Sequence, residues 1–481
     1  MHIYSATATT AVRASLALLI ATSISVNGLT AAAEPNDPYF SAAGSWGQTY
    51  PDQWALNRVG FDSSMESAWR LAGDNLSAVI VAVIDTGVDW NHSDISWDTI
   101  WHNPGEIPDN GKDDDQNGYI DDVIGWDFFA ASNKPWDHDG HGTFVTGIIA
   151  ADTNNGTGIA GINPHARIMV LKALNTFGHS RASYLAEALV YAADNGARLV
   201  NLSVGGKGLT PLEREAVEYA TSKGVLIVVA AGNEAVRTED FGIAGLPQVL
   251  TVATTGLTDQ REIFSNWGAS VDLAAPGMDI LSLRARRTDF MAGIPEIEYQ
   301  PGAAYVGPDK RYYRASGTSF SAPIVTGIAS ALLAKNPALN NAQIHRILTQ
   351  SARDIETPGV DQYTGYGLVD ARAALRADPE FFVITSIANV SIVQVTSGQA
   401  VEVQGSALAD RFASAALYLG AGDEPQQWRP VASVLNEPVQ NGVLGQIPAD
   451  AFAGSPVWTL RVVTTHRNGQ SREARYRIDL E

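Results

Sequence analysis

The chain has 481 residues, enough for about two or three domains and a substantial core, with 45% hydrophobic residues and a formal net charge of -20. That excess of acid argues against nucleic acid or an anionic membrane as partner, because phosphate would be repelled. There are no cysteines, so no disulfide staples the fold, and the acidic loops make calcium the expected substitute.

Residues 1–33 read as a signal peptide: Arg13 precedes an apolar run from Ala14 to Val26, and Ala31, Ala32 and Ala33 offer a small-residue cleavage site. The run is shorter than the roughly 20 residues a bilayer span needs. A secreted chain, extracellular or periplasmic and without a membrane span, is therefore expected. From Ala78 to about Leu375, short continuous apolar runs alternate with helical periodicity, the texture of a parallel sheet buried on both faces. Strands are predicted at Ala78 to Ile84, Ile168 to Leu171, Leu199 to Leu202, Val225 to Ala230, Val249 to Ala253 and Val271 to Leu273, with helices such as Ala182 to Asn195 between them. This gives an α/β domain over residues 34–378. Past Leu375 the strands alternate in polarity, as at Ala400 to Gln404, Ala416 to Gly420 and Trp458 to Thr464, with no helix long enough for a crossover. An antiparallel β-sandwich over residues 379–481 follows, joined near Asp378 and Pro379. Its Trp428 and Trp458 read as core aromatics or, alternatively, as stacking faces of a carbohydrate- or surface-binding module.

Candidate chemistry sits in four segments. Val81-Ala82-Val83-Ile84-Asp85-Thr86-Gly87 puts a carboxylate at the end of an apolar strand, on the sheet edge where active sites gather. Asp139-Gly140-His141-Gly142-Thr143 opens an apolar helix with a histidine between glycines. Ala230-Ala231-Gly232-Asn233 ends another strand with a side-chain amide. Ser316-Gly317-Thr318-Ser319 precedes a helix whose first turn is expected to contain Pro323, placing Ser319 where backbone donors and the helix dipole favour negative charge. Taken singly, each has a plainer reading: a turn carboxylate, a structural histidine, a turn-closing amide, an N-cap serine.

Together, in this order, the four segments resemble the subtilisin family of serine proteases. More of that family's wording recurs at Gly158-Ile159-Ala160-Gly161, Asn201-Leu202-Ser203-Val204-Gly205-Gly206 and Ala274-Ala275-Pro276-Gly277, so that the likeness runs from Asp37 to about Leu375. The resemblance implies a subtilisin-like parallel sheet flanked by helices and a serine endopeptidase acting on protein or peptide substrates, expected as a monomer. It implies that His141 takes the proton of Ser319, that Asp85 holds the imidazole, and that Asn233 and the Ser319 N–H serve the oxyanion. Substrate would pair with Ser203, Val204, Gly205 and Gly206 as an added strand, with Ala230, Ala231 and Gly232 walling the primary pocket. The chain departs from the family at Phe241 to Leu246, a poor match to the family's usual pocket-base loop, in an extra stretch from about Arg286 to Lys310, and where Phe144 and Ile324 replace histidines. The rival reading is a catalytically silent binding protein on the same scaffold, which the intact catalytic set disfavours.

Three further pieces, around Asp37, Asp94 and Asp152 to Ile159, are similar to the strong calcium site of thermitase-like members. The resemblance implies ligation by the carboxylates of Asp37 and Asp94, the amide of Asn155, and the carbonyls of Asp152, Thr157 and Ile159. The insert from Asp113 to Asp122 resembles the first part of an EF-hand loop, with Asp113, Asp115, Asn117 and Asp121 in ligand positions, Gly118 at the turn, and Ile124 where the closing glutamate belongs. A solvated acidic loop is the alternative there.

Overall fold

Alternation of side chains across each strand sets the architecture of the first unit. The computed structural model describes residues 35–294, 298–396 and 398–480, so the expected signal peptide lies outside the described residues. Short helices α1 (Pro38–Ser41), α2 (Trp54–Val59) and α3 (Ala68–Ala72) lead into strand β1 (Val79–Asp85). There follow β2 (Gly125–Asp127), α4 (His141–Ala150), β3 (Ala166–Lys172), α5 (Ala182–Asp194), β4 (Leu199–Leu202), α6 (Pro211–Ser222), β5 (Leu226–Ala230), β6 (Leu250–Thr255) and β7 (Leu273–Pro276). The strands form one sheet of 7, ordered β2-β3-β1-β4-β5-β6-β7 and parallel throughout. Val81 and Val83 of β1 face a core shared with α4 and with α7 (Thr318–Lys335), while Ala82 and Ile84 face a second core shared with α5 and α6. A strand buried on both faces needs apolar residues at every position, which is why these runs read as continuous.

Helix α7 is buried along nearly its whole length, as expected of a helix that is apolar all round. Before it, β8 (Ile280–Leu283), β9 (Tyr305–Val306) and β10 (Tyr312–Ala315) form a small antiparallel sheet in the order β8-β10-β9. After it come α8 (Asn341–Ser351) and α9 (Ala371–Arg376). Two expectations shift. The last strand of the large sheet begins at Leu273 rather than Val271, and Pro323 is the sixth residue of α7 rather than part of its first turn.

The C-terminal unit consists of two antiparallel sheets, β11 (Val383–Val395), β12 (Gly398–Ala409) and β15 (Val439–Pro448) against β13 (Phe412–Ala421), β14 (Arg429–Pro430), β16 (Val457–His466) and β17 (Ser471–Asp479). Val403, Leu417, Leu419, Ile447, Leu460 and Val462 form its core. Trp458 belongs to that core, donating its Nε1–H to Phe452 O at 3.0 Å. The ring of Trp428 has the guanidiniums of Arg461 and Arg475 over it at 4.5 and 5.3 Å. Arg472 of β17 donates to the carbonyls of Thr349 and Gln350 in the last turn of α8, at 3.2 and 2.6 Å, capping that helix and tying the two units together.

Candidate active site

The carboxyl edge of the large sheet collects residues far apart in sequence. Asp85 is the last residue of β1 and is fully buried. Its Oδ1 accepts from Thr86 N at 2.7 Å, and its two oxygens lie 2.9 and 3.0 Å from His141 Nδ1. Gly142 permits this approach, since a Cβ there would fall 2.2 Å from Gly87 O and 3.1 Å from Asp85 Cβ. His141 is the first residue of α4, and the helix start is held by Asp137, buried, whose oxygens accept from Gly140 N, Thr143 N, Thr143 Oγ1 and Thr86 Oγ1 at 2.6 to 2.9 Å. Burial works against a charged imidazole, yet the charge and hydrogen bond of Asp85, reinforced by Asp139 and Asp137, push His141 up to about 9. Asp139 is itself pushed up to about 6 by burial and by Asp137.

Ser319 is the second residue of α7, so its N–H has no partner within the helix. Its Oγ donates to Ser203 O at 3.2 Å rather than to the imidazole. Pro323 cannot donate to the carbonyl one turn back, and Ser203 Oγ takes that Ser319 carbonyl instead at 2.8 Å. Asn201 Nδ2 in turn donates to Ser203 Oγ at 2.9 Å. Asn233 has its Oδ1 committed to Thr318 N and Thr318 Oγ1 at 2.9 and 3.0 Å, which leaves its Nδ2 as the free donor beside the serine.

One cleft of about 430 Å³ joins His141, Ser319, Asn233, Ser203, Val204, Gly205, Ala230 and Gly232. Gly206 borders an adjoining cleft that continues along Leu209 and Ile243. Ala231 is fully buried and does not line that cleft; its carbonyl accepts from Asn266 Nδ2 at 2.9 Å. Phe241 lines the pocket floor: a Cβ at Gly205 or at Gly232 (φ +102) would come within 2.5 Å of its ring. Phe241 opens the segment where the sequence departs from the family's usual pocket-base loop. Sequence reasoning missed Asp137, which had a faint signal, a carboxylate four residues before the histidine.

The acidic loops also converge. Asp37 and Asp94 are fully buried, and burial pushes both up, Asp94 to about 7 with the Asp37 charge adding to the rise. Asp94 accepts from Asn155 Nδ2 at 2.7 Å and Ile159 N at 3.0 Å, and Asp37 Oδ2 from Asn154 N at 2.9 Å. Asp37 Oδ1 is buried without a donor. The Asp152 carboxylate is taken by Ser96 and Thr99 hydroxyls at 3.0 and 2.6 Å, and Asn155 Oδ1 accepts from Thr157 N at 2.7 Å. In the insert, one carboxylate oxygen each from Glu106, Asp113 and Asp115 lies within 4.8 Å of the others, an acidic cluster able to hold a metal ion. Glu106, which sequence reasoning missed, comes from upstream of the loop. Asn117 lies beside the cluster, donating through Nδ2 to Asp115 at 3.1 Å. Asp121 turns to Asn110 N and Gly111 N at 3.0 and 2.9 Å instead.

The sequence pattern of the subtilase family matches residues 77–367. The chain is 34% identical to a thermophilic serine proteinase from a Bacillus species, over 73% of each chain, and 31% identical to thermitase from Thermoactinomyces vulgaris, over 71% of this chain and 99% of that one. A solved protease structure from Pseudoalteromonas arctica superposes with a TM-score of 0.51 at 26% identity, covering 71% of this chain and 99% of that one.

Proposed function

The chain belongs to the subtilase family and is a serine endopeptidase; we propose that Asp85, His141 and Ser319 are its catalytic residues and Asn233 its side-chain oxyanion donor. The observation that carries this reading is the imidazole held 2.9 and 3.0 Å from both oxygens of a buried carboxylate, in the same cleft as a helix-start serine. Ser319 Oγ turns from Ser203 O toward His141 Nε2, loses its proton there and bonds to the peptide carbonyl carbon; such bonds are often loose until substrate is present. The oxyanion takes the Ser319 N–H and Asn233 Nδ2. The C–N bond then breaks as Nε2 returns its proton to the leaving amine, and water cleaves the acyl-enzyme by the same steps reversed. Substituting Ser319→Ala is expected to abolish casein hydrolysis with the circular dichroism spectrum unchanged, and equal hydrolysis by the variant would end the assignment.

The same proposal takes residues 1–33 as a signal peptide, so that the enzyme acts outside the cytoplasm, and residues 379–481 as an accessory domain. Ser203, Val204, Gly205 and Gly206 pair with the substrate backbone, and Ala230, Gly232 and Phe241 bound the pocket for the side chain before the cut. Asp37, Asp94 and Asn155, with the carbonyls of Asp152, Thr157 and Ile159, fit calcium because they offer only hard oxygen donors, one of them an orphaned buried carboxylate oxygen. Calcium there offsets the mutual repulsion of two buried acids and ties the segment at Asp37 to the loop after α4. Glu106, Asp113 and Asp115 fit a second, more exposed calcium.

A further inference from the structure

The segment from Arg284 to Ile294 plays no part in the reaction as described, yet it reaches the reacting groups. Arg286 donates through N and Nε to Oδ2 of buried Asp89 at 3.0 and 3.1 Å. Thr288 lies buried against Gly140, where a Cβ would come within 2.5 Å of its Oγ1. Asp289 receives the hydroxyls of Tyr299 and Tyr313 at 2.9 and 2.6 Å. Strapped down on both sides, Phe290 presents its ring edge-on to the His141 imidazole with centroids 5.8 Å apart. Phe320, the residue after Ser319, lies 5.6 Å from the same imidazole and 6.2 Å from Phe290. Behind them, Phe144 packs on Phe320 at 4.5 Å and Tyr313 on Phe290 at 4.7 Å, so the two rings have little space into which to retreat.

The acyl half of the cleft is bounded by the loops after β4 and β5. Phe290 stands apart from them, on the connection between β8 and β9, against α4. The departing amine collects its proton from His141 Nε2, so the peptide beyond the cut passes close to the imidazole, in the cleft that Phe290 lines. We propose that Phe290, together with Phe320, forms the wall that meets the first side chain on the amine side of the cut, and that Phe290 restricts that side chain to a compact one. A large ring would collide with a backed wall, which leaves room for a compact side chain only. The inference rests on the triad proposed above.

The experiment uses peptides with a fixed acyl half and a varied first residue on the amine side, measuring kcat/KM for the wild type and for Phe290→Ala. The wild type is expected to favour Ala over Phe and Trp at that position. Phe290→Ala is expected to raise kcat/KM for Phe and Trp relative to Ala by about tenfold, with the ranking of residues on the acyl side unchanged. An active variant with an unaltered ranking on the amine side, or one altered only on the acyl side, overturns the inference and leaves the triad standing. A wild type that hydrolyses none of the peptides sinks the triad reading as well. Should Phe290→Ala fail to fold, Phe290→Leu reads the same ratio with a smaller change.

Discussion

In the cleft, the buried carboxylates are supplied by the chain itself: both oxygens of Asp137 and both of Asp85 meet backbone N–H, hydroxyl or imidazole donors. In the loops around Asp37 and Asp94 the supply falls short. Asp37 keeps one buried oxygen with no donor, and both acids are pushed up by burial. A buried anion met by fixed donors is stable alone and can hold a catalytic group in place, whereas crowded acids with an orphaned oxygen are stabilised by a proton or by a cation from outside. On the proposal above, the first region is prepared for chemistry by folding, and the second is where calcium would enter.

That contrast is sharpened most by removing calcium. Excess chelator is expected to lower the melting temperature, with stabilisation of about 4 kcal/mol when free calcium exceeds Kd a thousandfold, while kcat measured well below the transition stays unchanged. A melting curve indifferent to chelator breaks the contrast from one side, and lost kcat in a folded, calcium-free enzyme breaks it from the other. The next effect lies in the cleft. Asn233→Ala is expected to cost about 3 kcal/mol in kcat, a magnitude known from subtilisin itself rather than from this geometry, with KM nearly constant. A loss confined to KM would make Asn233 a binding residue and remove it from the oxyanion hole.

How far each region was legible follows from whether its geometry is local. β4 is read at Leu199 to Leu202 and found there, because a strand buried on both faces announces itself by an unbroken apolar run. β17 carries Arg472, Arg475 and Arg477 among nine residues and buries only Ala474, so its place in the sandwich depends on its neighbours rather than on its own pattern. Asp85 and His141 stand out because a strand end and a helix start each leave a short signature. Glu106 leaves none, and Phe241 and Phe290 are marked only by lying where the chain departs from the family: each reaches its site by packing across the fold. Pro323 misled for the same reason, since a proline inside α7 is tolerable only because Ser203, distant in sequence, takes the carbonyl left without a donor.

The smallest effect tests whether the acids around the imidazole act as a set. The base must be neutral to accept the Ser319 proton, and Asp85, Asp139 and Asp137 hold His141 up at about 9 against burial. Activity is therefore expected to rise with pH, with kcat/KM reaching its plateau only above about pH 9. Asp139, at about 6, is ionised throughout that range, so its charge favours the protonated imidazole and delays the base. Asp139→Asn removes that charge and leaves Asp85 in contact with Nδ1. The midpoint of the kcat/KM profile is then expected to move to lower pH by about one unit, with the plateau within about twofold of the wild type. A shift to higher pH would contradict the sign of the interaction. An unmoved midpoint would leave the rise to Asp85 and Asp137 and remove Asp139 from the set.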